Sequence, residues 1–198
     1  MQRAVLLDRD GVINKKAPEG QYVTSWEEVR ILDGAAEAIA LLNQTGFKVI
    51  VVSNQRCVAK GLISPRELEV LHCRISDELA AAGARIDRFY YCPHDYSDEC
   101  SCRKPKPGML LQAALENELE LQNSWMVGDS NSDIQAGRNA GCLTALVAQG
   151  DHSGIYADLA ASSLLEAAKL IIAADAAKQP RRGVNASIPE QQLDSKHN

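Results

Sequence analysis

The stretch Val5-Leu6-Leu7-Asp8-Arg9-Asp10-Gly11-Val12-Ile13-Asn14 decides the fold expected for this chain. The apolar run that begins it is typical of a strand buried in a parallel sheet. Ligands of open α/β sheets bind beyond the carboxyl ends of the strands, so Asp8 and Asp10 are expected at the mouth of a site. Two acids this close need a positive partner, for which a divalent metal is the usual solution. Taken alone, the stretch is equally compatible with an acidic, glycine-containing turn.

The composition is that of one globular domain. The chain has 198 residues, enough for a single buried core, and a formal net charge of −5. Acidic and basic residues are mixed, which argues against nucleic-acid and membrane-surface binding, since both favour a basic excess. Because no apolar run approaches the roughly 18 residues of a membrane span and no signal peptide is evident, we expect a cytoplasmic monomer. The six cysteines are then expected as thiols or metal ligands rather than disulfides.

Apolar strands alternate with amphipathic helices along most of the chain. This alternation predicts an α/β, Rossmann-like fold with a parallel sheet and helices on both faces. We expect one domain over residues 1–175, without a large cap insertion, and a disordered polar tail over 176–198. Strands are expected at 4–7, 49–52, 89–91, 125–127 and, as the last strand, 143–147; helices are expected at 34–44, 65–82, 108–117, 133–140 and 163–174.

Polar and charged side chains collect where the predicted strands end. Together they supply a carboxylate nucleophile, hydroxyl and amide donors, two cations and acids for a metal, which is what phosphoryl transfer needs. Asp133 has a second explanation, as an acid that the helix dipole favours at a helix N-terminus. The strand-end residues are Asp8 with Asp10, Ser53 with Asn54, Arg103 with Lys104, and Asp129 with Asp133.

Four ordered motifs make the chain resemble the haloacid-dehalogenase-like (HAD) phosphatases. They are Asp8-Arg9-Asp10-Gly11-Val12, Ser53-Asn54-Gln55, Lys104-Pro105 and Gly128-Asp129-Ser130-Asn131-Ser132-Asp133. The resemblance covers about residues 5–147. It is strongest to the histidinol-phosphate and heptose-bisphosphate phosphatase branch, which carries a zinc loop ending in Cys-Arg-Lys-Pro.

The resemblance implies a Mg²⁺-dependent phosphomonoesterase that works through an aspartyl phosphate. Asp8 is the implied nucleophile, Asp10 the general acid and base, and Lys104 the charge stabiliser. The implied substrate-binding residues are Ser53, Asn54, Gln55, Arg103 and Lys104. The implied Mg²⁺ ligands are Asp8, the backbone carbonyl of Asp10, and Asp129. Asp133 is implied to lie close to these ligands without binding the metal directly.

A cysteine-rich loop leads into Arg103 and Lys104. Cys92, His94, Cys100 and Cys102 supply four nitrogen and sulfur donors, the set of a closed tetrahedral Zn²⁺ site. The one-residue gaps are tighter than the common Cys-x₂-Cys spacing, and incidental clustering is the alternative. We hypothesise a structural zinc that fixes the two basic residues. His72 shows no partner in the sequence and is assigned to packing or surface.

The expected substrate is a small phosphorylated metabolite, with D-glycero-D-manno-heptose 1,7-bisphosphate, hydrolysed at the 7-phosphate, as the best match. The short zinc loop favours histidinol phosphate instead, whereas Lys106-Pro107-Gly108-Met109 looks heptose-like. Specificity is expected from loops 14–26 and 55–60 and the zinc loop; Arg56 and Lys60 either contact a second phosphate or are solvated. A non-catalytic phospho-receiver is the alternative from another class, although its long-lived acyl phosphate disagrees with a second acid in Asp-x-Asp.

Overall fold

The computed structural model describes residues 2–148 and 154–178. In this part of the chain strands and helices alternate as predicted. In order they are β1 (Ala4–Leu7), α1 (Ala35–Gln44), β2 (Lys48–Asn54), α2 (Pro65–Ala81), β3 (Arg88–Cys92), α3 (Gly108–Asn117), β4 (Trp125–Gly128), α4 (Asn131–Ala140), β5 (Leu143–Val147), β6 (Leu159–Ala161) and α5 (Leu164–Lys178).

The strands form one parallel sheet in the order β3-β2-β1-β4-β5-β6. The chain builds outward from β1 to one edge and then crosses back to place β4 on its other side. The strand order therefore reverses between β1 and β4, and such a switch point opens a crevice at the carboxyl ends of the strands. Asp8 follows β1 and Asp129 follows β4, so the topology alone brings these two carboxylates to the same crevice.

Alternate residues of each strand feed two separate cores. Leu7 and Val51 face a core that also takes the buried faces of α1, α2 and α5. Leu6 and Ile50 point the opposite way, onto α3 and α4. Strands covered on both sides explain the uninterrupted apolar runs in the sequence, and they confirm helices on both faces of the sheet.

Two predictions about the C-terminal elements are wrong. Residues 143–147 are not the last strand, because Leu159–Ala161 adds β6 at the edge; its three residues are too few to give a sequence signal. The last helix continues past its predicted end at 174, since the alanine-rich sequence up to Lys178 favours helix. The rest of the predicted tail, from 179, lies outside the described residues.

Helix α4 starts two residues before its predicted position. Ser130 is its N-cap and Asp133 completes a capping box by accepting from the backbone N–H of Ser130 at 3.1 Å. Within residues 2–148 and 154–178, none of the helices combines the length and apolar character needed to cross a bilayer.

Candidate active site

The crevice at the carboxyl edge of the sheet is a cavity of about 400 Å³. Its floor comes from the strand ends, and loop residues 16–23 with Tyr96 form the walls. The sequence-predicted strand-end residues all line it. These are Asp8, Asp10, Ser53, Asn54, Gln55, Arg103, Lys104, Asp129 and Asp133.

A buried lysine joins two carboxylates at the floor of the cavity. Lys104 is 3 % exposed, and its Nζ lies 2.8 Å from Asp8 Oδ1 and 2.6 Å from Asp133 Oδ1. It also donates to the carbonyl of Val52 at 2.8 Å. Although burial lowers the pKa of Lys104, Asp8 and Asp133 raise it more, so this side chain is a fixed cation.

Lys104 does not offset the effect of burial on Asp8. Burial raises the pKa of Asp8 to about 7 in spite of Lys104, and the charges of Asp133 and Asp10 add to the effect. A cation beside Asp8 would favour its ionised form.

The acidic cluster fits a hard divalent cation. Oxygens of Asp8, Asp129 and Asp133 all lie within 4.8 Å of one another. Asp129 Oδ1 is buried and has no hydrogen-bond donor among the described residues, while Oδ2 accepts from the half-exposed Lys16 at 2.8 Å. Carboxylate oxygens are the ligands that Mg²⁺ prefers, so the residues present suit this ion.

Asp133 has the position at a helix N-terminus that the sequence offered as one explanation, and it also pairs with Lys104 at the floor of the cavity. Its Oδ2 caps α4 through Ser130, whose hydroxyl donates to it at 2.5 Å. Its Oδ1 pairs with Lys104. Both oxygens are thus engaged by protein groups, which leaves Asp8 and Asp129 better placed than Asp133 to hold a metal.

Asp10 is held by three neighbours. Its two oxygens accept from the Arg9 guanidinium at 2.8 to 3.2 Å, from Asn14 at 2.9 Å and from Gln55 at 3.0 Å. Burial raises the pKa of Asp10, but the Arg9 charge and the hydrogen bonds from Asn14, Arg9 and Gln55 together hold it below its usual value. The carboxylate is ionised and fixed in direction before any ligand binds.

The end of β2 supports the site in two ways. Ser53 is buried, and its hydroxyl accepts from Gln55 Nε2 at 2.8 Å. Asn54 was predicted to bind substrate, but its amide donates to the carbonyl of Lys104 and accepts from the Lys104 N–H, both at 3.1 Å. The Asn54 side chain therefore holds the backbone of Lys104.

The predicted zinc ligands converge in space. Distances of 3.3 to 3.6 Å link Cys92, His94, Cys100 and Cys102 through their sulfur and Nδ1 atoms. Tetrahedral zinc with bonds of about 2.0 to 2.3 Å requires ligand separations of about 3.5 to 3.8 Å. The described cysteines form no disulfide, and the set of four donors fits zinc.

Aromatic and basic side chains form the mouth of the cavity. Tyr96 lies between two guanidinium groups, with Arg56 Cζ 4.4 Å and Arg103 Cζ 4.2 Å from its ring centroid. Arg56 is also paired with Asp95 at 2.7 Å, and Lys60 stands 5.3 Å over the ring of Tyr22. Both side chains thus have aromatic neighbours at the mouth, while Lys60 stays exposed.

Known proteins are similar to this chain in sequence and fold. A profile of the HAD-hydrolase-like family matches residues 101–172. The D-glycero-beta-D-manno-heptose-1,7-bisphosphate 7-phosphatase of Pseudomonas aeruginosa is 40% identical over 151 residues, 76% of this chain and 84% of that protein. The D-glycero-alpha-D-manno-heptose-1,7-bisphosphate 7-phosphatase of Mycobacterium tuberculosis is 39% identical over 170 residues, 83% and 89% of the two chains.

A solved structure agrees with these relatives. The D,D-heptose 1,7-bisphosphate phosphatase of B. bronchiseptica, complexed with magnesium and phosphate, superposes with a TM-score of 0.81 at 33% identity, covering 87% of this chain and 99% of that one. This chain belongs to the HAD-like phosphatase family. Its resemblance to the heptose-bisphosphate branch is confirmed, and the phospho-receiver alternative is not supported, because the relatives named above are phosphatases.

Several residues at this HAD-like site were not predicted. Arg9 was given no role, although strand alternation points it away from its two acidic neighbours; in the structure its guanidinium donates to the Asp10 carboxylate at 2.8 Å. His72, assigned to packing, is buried against Arg9. The sequence did carry a signal for Arg9, which is a basic residue between two acids in a buried stretch. A buried guanidinium group needs hydrogen-bond acceptors, and a neighbouring carboxylate is one.

Proposed function

We propose that the protein is a Mg²⁺-dependent phosphatase that hydrolyses the 7-phosphate of D-glycero-D-manno-heptose 1,7-bisphosphate. The observation that carries the chemistry is the pairing of Lys104 with Asp8 beside Asp129 at the floor of the cavity. The substrate is supported by relatives named for this reaction that match most of the chain. A nucleophile, a cation and an acid together are the groups that phosphoryl transfer through a carboxylate requires.

In the first step an Asp8 oxygen attacks the phosphorus of the 7-phosphate. The bond between phosphorus and the ester oxygen breaks, and that oxygen takes a proton from Asp10 as the sugar leaves. Lys104 offsets the charge that would otherwise repel Asp8 from the phosphate, and the Ser53 hydroxyl donates to a phosphoryl oxygen. Asp8, Asp129 and the backbone carbonyl of Asp10 would hold Mg²⁺, which would supply the remaining positive charge when bound.

In the second step water replaces Asp8 on the phosphorus. Asp10, now ionised, accepts the proton of the attacking water, and the Asp8 carboxylate is released with inorganic phosphate. The hydrogen bonds from Arg9 and Gln55 stabilise the ionised form of Asp10 that this step requires. The same carboxylate must be protonated in the first step, and the negative charge of the incoming phosphate favours that proton.

Substrate selection falls to the loops around the open mouth. We assign Arg103, beside Tyr96, to the sugar phosphate that is not cleaved. We also propose that zinc on Cys92, His94, Cys100 and Cys102 is structural, holding the segment that carries Arg103 and Lys104. Elemental analysis of purified protein is expected to give one zinc per chain, and protein without zinc would remove this part of the proposal.

The test is kcat/KM with Mg²⁺ for both anomers of the heptose bisphosphate and for histidinol phosphate, with Asp8→Asn as the inactive control. The relatives at 40% and 39% identity are named for opposite anomers, so both are assayed. We expect one heptose anomer to exceed histidinol phosphate by a hundredfold, about 3 kcal/mol of transition-state stabilisation. A preference for histidinol phosphate would refute the substrate, and a folded, active Asp8→Asn protein would refute the mechanism.

A further inference from the structure

Arg9 connects Asp10 to a histidine that lies outside the cavity. Its Nε and Nη2 atoms donate to the Asp10 carboxylate, while Nη1 lies 3.3 Å from Nε2 of His72. His72 belongs to α2 and is not among the residues that line the cavity. A guanidinium group can only donate, so Nε2 of His72 accepts and the ring is the neutral form with its proton on Nδ1.

The surroundings leave this chain of contacts little freedom. Arg9 is 0% exposed and His72 is 4% exposed. The His72 ring is stacked on Phe89 with centroids 4.6 Å apart and planes at 13°, and it meets Tyr91 edge-on at 5.8 Å. An arginine side chain has many rotamers in water. Here the packed His72 ring and the Asp10 carboxylate contact different nitrogens of the Arg9 guanidinium, so that one rotamer is favoured.

We propose that His72 is a positioning residue, which fixes the Arg9 guanidinium and thereby aims the Asp10 carboxylate at the leaving oxygen of the substrate. The inference rests on the proposed function, because that function makes Asp10 the general acid. His72 acts through Arg9 and touches no reacting atom. A small misorientation of a proton donor is costly, since the proton has to be delivered within hydrogen-bond reach.

The test separates proton delivery from folding by using two esters. In the first step Asp8 attacks the phosphorus and the bond to the ester oxygen breaks. The value of kcat/KM depends on all steps up to and including this bond cleavage. Phenyl phosphate releases phenol, whose pKa is about 10, so its departure needs the Asp10 proton. 4-Nitrophenyl phosphate releases the more acidic 4-nitrophenol, which leaves without that proton. His72→Phe keeps a ring against Phe89 but has no acceptor, and His72→Gln restores an acceptor for Arg9.

We expect His72→Phe to lower kcat/KM for phenyl phosphate at least tenfold and for 4-nitrophenyl phosphate less than threefold. His72→Gln is expected within threefold of the unmodified enzyme on both esters. Cys73→Ser, the exposed neighbour on α2, is the matched control and should change neither. Equal losses on both esters would show a purely structural role, and no loss on either would show no role; both results overturn the proposal.

A second measurement keeps the inference testable if His72→Phe does not fold. Nitrogen-15 NMR of the unmodified protein is expected to show His72 neutral, with the proton on Nδ1, between pH 6 and 8. A charged His72 or a proton on Nε2 would contradict the contact with Arg9. An unmodified enzyme that hydrolyses no phosphate ester refutes the proposed function, whereas an active enzyme with indifferent His72 variants refutes the positioning alone.

Discussion

Replacing Lys104 with methionine removes the cation from the floor of the active site while keeping a side chain of similar length. The side chains of Asp8 and Asp133 are 13% and 1% exposed. In the variant these two carboxylates would lie close together with no ammonium group between them. Removing one partner of a buried ion pair costs about 3 to 5 kcal/mol, because the remaining charge is left uncompensated. For a domain of this size the melting temperature should fall on the order of 10 °C in Mg²⁺-free buffer.

The sign of the pH dependence follows from the carboxylates. Burial already raises the pKa of Asp8 to about 7, and loss of the Lys104 charge raises it further above its value in the unfolded chain. A group whose folded pKa is raised binds its proton more tightly in the folded state, so stability is lost as pH increases toward that pKa. The deficit of Lys104→Met relative to the unmodified protein should therefore be larger at pH 8 than at pH 6.

Calorimetric melts of the two proteins at pH 6 and pH 8 check this, in buffer free of Mg²⁺ and without a chelator that would strip zinc. Lys106→Met is the matched control: Lys106 is exposed and donates to the carbonyl of Glu99, so its loss should stay within about 0.5 kcal/mol. A Lys104→Met deficit below about 1 kcal/mol at pH 8, or one that is equal at both pH values, would refute the reasoning.

Three further outcomes follow from the contacts described. Gly11→Ala should lower kcat at least 100-fold and weaken Mg²⁺ binding measured by titration calorimetry, because φ is +95° and a Cβ would overlap the Asp129 carboxylate; normal Mg²⁺ affinity would contradict this. Cys102→Ser should lose zinc by elemental analysis and speed hydrogen exchange in the segment that follows it, with retained zinc as the contrary result. Leu68→Ala, fully buried, should cost about 2 to 5 kcal/mol in denaturant unfolding, against less than about 0.5 kcal/mol for the exposed Val70→Ala.

The sheet and its carboxyl edge could be predicted because both depend on local patterns. Apolar runs such as 49–52 are buried on two sides, and a parallel sheet brings all strand ends to one edge. Residues that follow a strand therefore meet, whatever their distance along the chain. This is why Asp8 and Asp129 could be placed together from the sequence, whereas the short edge strand β6, without a long apolar run, could not.

The contacts that orient the site depend on side-chain directions that no local pattern encodes. Arg9 and His72 are 63 positions apart, and nothing in the α2 sequence marks its histidine as an acceptor. The same limit applies to Asn54: its position at a strand end predicts a ligand contact, but its amide is used by the Lys104 backbone. Sequence reasoning identified which residue types collect at the edge and missed how they are divided between binding and support.

Lys104 shows why the zinc loop and the active site form one unit. The backbone of this lysine is held on one side by Asn54 at the end of β2 and follows directly after Cys102 and Arg103 on the other. The backbone N–H of Gln55 donates to the Cys92 carbonyl at 2.8 Å, joining the β2 and β3 strand ends. A buried ammonium group needs its acceptors within tenths of an ångström to offset desolvation. Ordering the loop that carries it is therefore a condition for the Asp8 pairing, and if zinc orders that loop, as proposed, removing it should disturb this pairing.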